Sequence, residues 1–170
     1  RMSTYYEYAE KLLGKGHAYI CTCKPENFRE LVQNKEICPC RDLSVKEQTE
    51  RWSKMFKGYK QGDAVMRIKT EIDHPNPAIR DWPAFRINDT PHVKTKKKYR
   101  VWPLMNFSVA IDDATLGVTH SLRAKEHMDN EKRQRYLFDY LGFKPIDCEY
   151  VGRLHLKGIR MSASEAKEAI

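Results

Sequence analysis

Cysteine occurs five times in this 170-residue chain, and four of the five fall in two tight pairs, Cys21-Thr22-Cys23 and Cys38-Pro39-Cys40. No other feature constrains the fold as much. Four soft ligands arranged tetrahedrally, with sulfur at about 2.3 Å, satisfy a zinc ion, and two short cysteine pairs brought together supply them. A metal would also explain how a small segment with modest apolar content keeps its shape. Without one, the same four thiols would be buried or partly paired. In either case the role is structural, because four protein ligands leave no open position for chemistry. Cys148 stands alone and reads as a packing residue.

An odd cysteine count with paired spacing fits an intracellular metal site better than a secreted disulfide framework. Hydrophobic residues make up 41% of the chain, enough for a real core and against disorder. No run approaches the ~20 apolar residues of a membrane-spanning helix. The opening Arg1-Met2-Ser3-Thr4 has no apolar signal core, so a cytoplasmic location is expected. The net charge of +8 suits an anionic partner, but charge alone does not separate RNA from DNA, an anionic membrane or plain solubility.

Thr4 and Glu7 have the spacing of a capping box, followed by Tyr5, Tyr8, Ala9, Leu12 and Leu13 at helical intervals up to Gly14 and Gly16. His17 to Cys21 predicts a strand. Pro25 opens a short helix with Phe28, Leu31 and Val32 inward. A second box, Ser44 and Glu47, opens a helix whose buried stripe is expected at Val45, Trp52, Met55 and Phe56. The period then changes to two: Ala64, Met66 and Ile68 alternate with Val65, Arg67 and Lys69. Pro75-Asn76-Pro77 predicts a turn, and Trp82 to Ile87 another strand. Lys94 to Arg100 is strongly basic, and Arg67, Lys69, Arg80 and Arg86 are expected to add positive surface. Val101 to Met105 and Val118 to Leu122 read as strands, with a loop around Asp112-Asp113 between them. Asn130 is expected to cap a helix with Tyr136, Leu137, Tyr140 and Leu141 inward and Gly142 at its end. Tyr150 to Ile159 reads as extended.

The runs Asp81-Trp-Pro-Ala-Phe-Arg-Ile-Asn-Asp-Thr-Pro-His92, Val101-Trp-Pro-Leu-Met-Asn-Phe107 and Asp112-Asp113-Ala-Thr-Leu-Gly-Val-Thr-His-Ser-Leu-Arg123 resemble archaeal-type glutamyl-tRNA synthetases, and more loosely glutaminyl-tRNA synthetases. The resemblance extends over the whole chain and implies an α/β fold, part of a class I Rossmann-type catalytic domain with an inserted α+β subdomain. Residues 1–17 would then end the first Rossmann half. Residues 18–96 would form the acceptor-arm-binding insert with its cysteine knuckle, and 97–170 the second half. The implied activity is ATP-dependent attachment of glutamate to tRNA through glutamyl-adenylate, with ATP and Mg²⁺ as substrate and zinc as a structural ion. The alternatives are a glutaminyl-tRNA synthetase and a non-catalytic, zinc-stabilised tRNA-binding module.

The same resemblance implies the site residues. Arg123 would bind the substrate carboxylate, for which a planar guanidinium is suited; glutaminyl members typically lack an Arg there. Met105, Asn106 and Ser108, with Val109, would lie at a strand end forming the floor of the amino-acid pocket. Met105 stands where bacterial-type members tend to carry Tyr. His120 suits either core or pocket, and Trp102 the core. Arg160-Met-Ser-Ala-Ser164 is similar to the Lys-Met-Ser-Lys-Ser loop that steadies ATP phosphates, implying Arg160, Ser162 and Ser164 as catalytic residues, with Ala163 in place of the second lysine. Lys94, Lys96, Lys97 and Lys98 could track an acceptor-stem backbone, or form a solvated loop. The cysteines Cys21, Cys23, Cys38 and Cys40 would hold the zinc. The family's other ATP signature, a His-Ile-Gly-His-like turn, would precede Arg1, so this stretch alone is not expected to make the adenylate.

Replacing Arg160 with Ala in the full-length protein should slow ATP–pyrophosphate exchange by about a hundredfold, the usual effect of removing one group that stabilises transition-state charge. Glutamate affinity should change far less, and unchanged exchange would remove the role.

Overall fold

In a computed structural model, which describes residues 1–152, the chain starts with helix α1 (Met2–Gly14). Its buried face is Tyr5, Ala9, Leu12 and Leu13, as the spacing predicts. The expected capping box does not form. The helix begins two residues before Thr4, and Glu7 instead pairs with Lys11 one turn on, at 2.7 Å. Strand β1 (Ala18–Cys21) follows and delivers the first cysteine pair, and helix α2 (Pro25–Asn34) begins with its proline in the first turn.

Helix α3 (Val45–Lys57) carries the predicted box in full: Ser44 Oγ accepts from the Glu47 amide and Glu47 accepts from the Ser44 amide. Its buried stripe starts one turn later than expected. Val45 is exposed, whereas Gln48, Trp52 and Met55 are buried. Gln48 is tolerated inside because both ends of its amide are used: it accepts from the Ile20 amide at 2.8 Å and donates to the Cys40 carbonyl at 2.7 Å.

Strands β2 (Val65–Ile68), β3 (Pro83–Ile87) and β4 (Val101–Pro103) pair with β1 in an antiparallel sheet ordered β1-β2-β3-β4. The sheet draws on β4, so it extends past residue 96. The alternation in β2 holds, with Met66 and Ile68 buried and Val65 and Arg67 half-buried. Against it packs an aromatic cluster in which Trp52 meets Tyr6, Phe56 and Phe85 edge-on, and Phe85 meets Phe107 at 4.6 Å between centroids.

One buried carboxylate joins the sheet to the knuckle. Asp81, 1% exposed and at φ 38°, accepts from Tyr19 Oη at 2.8 Å and the Thr70 amide at 2.9 Å. The Arg41 guanidinium lies 3.3 Å away. Burial pushes the Asp81 pKa above the ordinary carboxylate value, against the opposing pull of the Thr70 amide, Arg41, Tyr19 and Arg67.

After β4 the structure departs from expectation. Leu104 is the last extended residue, and Met105–Thr115 is helix α4, so Asp112-Asp113 falls in a helix rather than a loop. The apolar run from Val101 to Met105 has no period of its own, which hid the change of element. Asp112 is held by Arg1 at 2.5 Å and Tyr5 at 2.6 Å, which ties α4 to α1. Strand β5 (His120–Ala124), helix α5 (Met128–Leu141) and strand β6 (Asp147–Val151) then make a parallel crossover, the unit from which doubly wound α/β domains are built. Asn130 lies inside α5; the helix is entered through a 3₁₀ turn, with His127 at the N-cap position making no side-chain capping bond. Gly142 ends α5 at φ 71°, as predicted. The inner face is Gln134, Leu137 and Phe138, with Tyr136, Tyr140 and Leu141 half-buried. Among the described residues no helix is long and apolar enough to cross a membrane.

Trp52 is 3% exposed at the centre of the aromatic cluster. Trp52→Ala should cost about 3–5 kcal/mol of unfolding free energy, measured by denaturant titration.

Candidate functional site

The two cysteine pairs meet. Cys21 arrives on β1, Cys23 just after it, and Cys38 and Cys40 on the segment between α2 and α3. Sγ–Sγ distances are 3.7 Å for Cys21–Cys38, 3.7 Å for Cys23–Cys38 and 3.9 Å for Cys23–Cys40, and all four sulfurs lie within 4.8 Å of one another. A disulfide needs about 2.05 Å. A regular tetrahedron around a metal at about 2.3 Å has edges of roughly 3.8 Å, so the sulfur spacing fits a single four-coordinate ion. The surroundings suit a thiolate cluster too: Arg51 Nη1 lies 3.3 Å from Cys40 Sγ, and Thr22 Oγ1 lies 3.7 Å from it. Against that, burial and then the neighbouring Cys21 push the Cys23 thiol above its ordinary value, to about 11.

A second site opens where α4, β5 and α5 meet. It is a cavity of about 400 Å³ whose lining includes Met105, Val109, Asp113, Arg123, Asn130 and Gln134. Met105, Val109 and Asp113 are four residues apart, so they form one stripe of α4 toward the cavity while Phe107, Ala110 and Ile111 face the core. Arg123 is held on three sides. Nε donates to Ser121 Oγ at 3.0 Å, Nη1 to Gln134 Oε1 at 2.7 Å, and Nη2 reaches Asp113 Oδ2 at 3.4 Å. Burial raises the Asp113 pKa, opposed by the Arg123 charge.

The other expected residues separate. Asn106 is on the first turn of α4, within 3.3 Å of Gln134 Nε2. Ser108 is not among the cavity's lining, and its hydroxyl bonds back to the Met105 carbonyl at 3.2 Å. Met105, Asn106, Ser108 and Val109 all lie in α4, and none occupies a strand end. His120 is neither core nor pocket: it is exposed, with Nδ1 against Thr119. Trp102 is half-buried beneath the His92 ring, 5.1 Å away. Lys94, Lys96, Lys97 and Lys98 are all exposed on the β3–β4 connection, tightened by a His92–Lys96 bridge. Arg100 is occupied, paired with Asp89 at 2.5 Å. Arg80, expected on the positive surface, is 7% exposed, and its guanidinium is spent on the carbonyls of His74 and Val32. Arg160, Ser162 and Ser164 lie outside the described residues.

A family model described as the catalytic domain of class I tRNA synthetases (E and Q) matches residues 1–166. The chain belongs to that family. Among its relatives, a glutamate–tRNA ligase of Methanothermobacter thermautotrophicus is 52% identical over 170 residues, covering 100% of this chain and 31% of the relative. Those of Thermococcus onnurineus and Pyrococcus abyssi are each 54% identical over 172 residues, covering 100% of this chain and 30% of theirs. The chain thus spans about three tenths of the length of these synthetases. Its fold is similar to a glutamate tRNA ligase crystal structure from Elizabethkingia meningosepticum, with a TM-score of 0.64 at 16% identity over 99% of this chain and 36% of that one.

Within this synthetase fold, Gln134 and Asp113 are the site residues that sequence reasoning did not single out. Gln134 is a buried polar residue in a helix whose other inward positions are apolar, a contrast visible only once the face of α5 is known.

Proposed function

We propose that this chain is part of the catalytic core of an enzyme that attaches glutamate to tRNA through glutamyl-adenylate, using ATP with Mg²⁺. The observation that carries this is Arg123, a guanidinium only 14% exposed at the edge of a cavity of about 400 Å³. A planar, permanently charged fork in a shielded site favours a carboxylate over the neutral amide of glutamine. The chain's own residues bind and orient: Arg123 takes the side-chain carboxylate, and Met105 and Val109 supply an apolar wall. Holding the amino acid in line with ATP is the larger part of such a reaction, because positioning replaces a bimolecular encounter. Arg160, Ser162 and Ser164 would steady the ATP phosphates as charge develops. In this reading residues 18–96 bind the tRNA acceptor arm, on a sheet whose last strand, β4, lies beyond them, and 1–17 and 97–170 belong to the two Rossmann halves. The exposed Lys94, Lys96, Lys97 and Lys98 would neutralise backbone phosphates.

We assign the metal at Cys21, Cys23, Cys38 and Cys40 as zinc, from the all-sulfur donor set and the tetrahedral spacing. Its contribution is to hold β1 and the 38–40 turn together, and no reaction step involves it.

Arg123→Ala in the full-length protein should raise KM for glutamate by about a hundredfold, the scale of charged hydrogen bonds lost from a shielded site, with KM for ATP little changed. An unchanged glutamate KM would overturn the assignment. Protein purified without chelator should carry close to one zinc per chain by elemental analysis, and Cys38→Ser should lose most of it. Metal-free wild-type protein would refute the zinc site.

A further inference from the structure

Gln134 is 4% exposed, on a face of α5 that otherwise presents Leu137 and Phe138 to the core. A buried amide is tolerated only when both of its ends are satisfied. Here Oε1 accepts from Arg123 Nη1 at 2.7 Å, and Nε2 donates to Asn106 Oδ1 at 3.3 Å. Arginine can only donate, so the amide orientation is dictated: the oxygen must face Arg123, and the nitrogen is left for Asn106.

The guanidinium has five N–H groups. Ser121, Gln134 and Asp113 each engage one, on Nε, Nη1 and Nη2 in turn. One N–H on each terminal nitrogen remains. Those two N–H groups are what the guanidinium has left to offer a carboxylate. The Gln134 contact is the shortest of the three, and it comes from a neutral group, so it holds the plane of the fork without cancelling its charge.

We propose that Gln134 is a positioning residue that aims the Arg123 fork at the carboxylate of the amino-acid substrate, and so contributes to the choice of glutamate over glutamine. The proposal rests on the assignment of Arg123 to the substrate carboxylate. Asn106 acts one bond further out, by keeping the Gln134 amide from rotating.

The test is ATP–pyrophosphate exchange by the full-length enzyme with glutamate and with glutamine, in Gln134→Met, Gln134→Glu and Arg123→Ala. Gln134→Met keeps length and loses both bonds. It should raise KM for glutamate about tenfold, the scale of one hydrogen bond to a charged group, with KM for ATP and the melting temperature near wild type. Its glutamate-to-glutamine ratio of kcat/KM should fall. Gln134→Glu matches the wild-type shape but sets a negative charge on the fork, so it should raise KM for glutamate at least as much and lower the ratio further. Should Gln134→Met not fold, Gln134→Glu carries the test. Wild-type KM and ratio in these variants, beside a raised KM in Arg123→Ala, would overturn the positioning role alone. An equal rise in KM for glutamate and ATP with a lowered melting temperature would mark a structural role and overturn it too. No change in Arg123→Ala would instead remove the assignment on which the proposal stands.

Discussion

Taking the Asp81 carboxylate out of water has a cost that only a complete set of partners offsets. Those partners come from different parts of the chain: Tyr19 from β1, Thr70 from just beyond β2 and Arg41 from the segment after the last paired cysteine. Tyr19 is two residues from Cys21, and Arg41 is next to Cys40. Satisfying this one group therefore sets the knuckle at the end of the sheet. Gln48 reinforces the arrangement from α3, bridging the Ile20 amide and the Cys40 carbonyl. The cysteine cluster is thus anchored to the sheet on two sides by buried polar bonds, before any metal is considered.

The sheet in turn sets the second site. Strand β4 forms the sheet edge and hands the chain to α4, with the Leu104 amide bonded to the Ala84 carbonyl at 2.7 Å. That bond fixes where α4 starts, and the start decides which residues share a face. Met105, Val109 and Asp113 then point to the cavity, and Asp112, next in sequence to Asp113, points back to Arg1 and Tyr5. Adjacent carboxylates thereby take unrelated tasks, one tying α4 to α1 and the other bordering the Arg123 fork.

Much of the fold was legible because local chemistry and burial agree. The Ser44–Glu47 box, the alternation through β2, Pro25 at a helix start and Gly142 at a helix end each act over a few residues. Thr4, Asn130 and Asp112-Asp113 carry local signals for caps or loops, yet each lies inside a helix; Asp112 is held there by Arg1 and Tyr5. Val45 and Gln48 invert the expected burial because a satisfied amide can occupy an inward position. Arg80 reads as surface charge, yet backbone carbonyls from a turn and from α2 take it inside.

By itself the sequence determined the set of chemical groups: four thiols in two pairs, a lone Arg123 after a distinctive run, and a basic stretch before β4. Cysteine pairs this close in sequence leave few ways to avoid a common cluster, so the knuckle could be foreseen from spacing. Only the tertiary structure decided that its sulfurs come within 4.8 Å of one another, because that depends on where β1 and the 38–40 turn are held. It alone placed Gln134 and Asp113 around Arg123. Their roles depend on the rotation of α4 and α5 about their own axes, which packing sets and one-dimensional spacing leaves open.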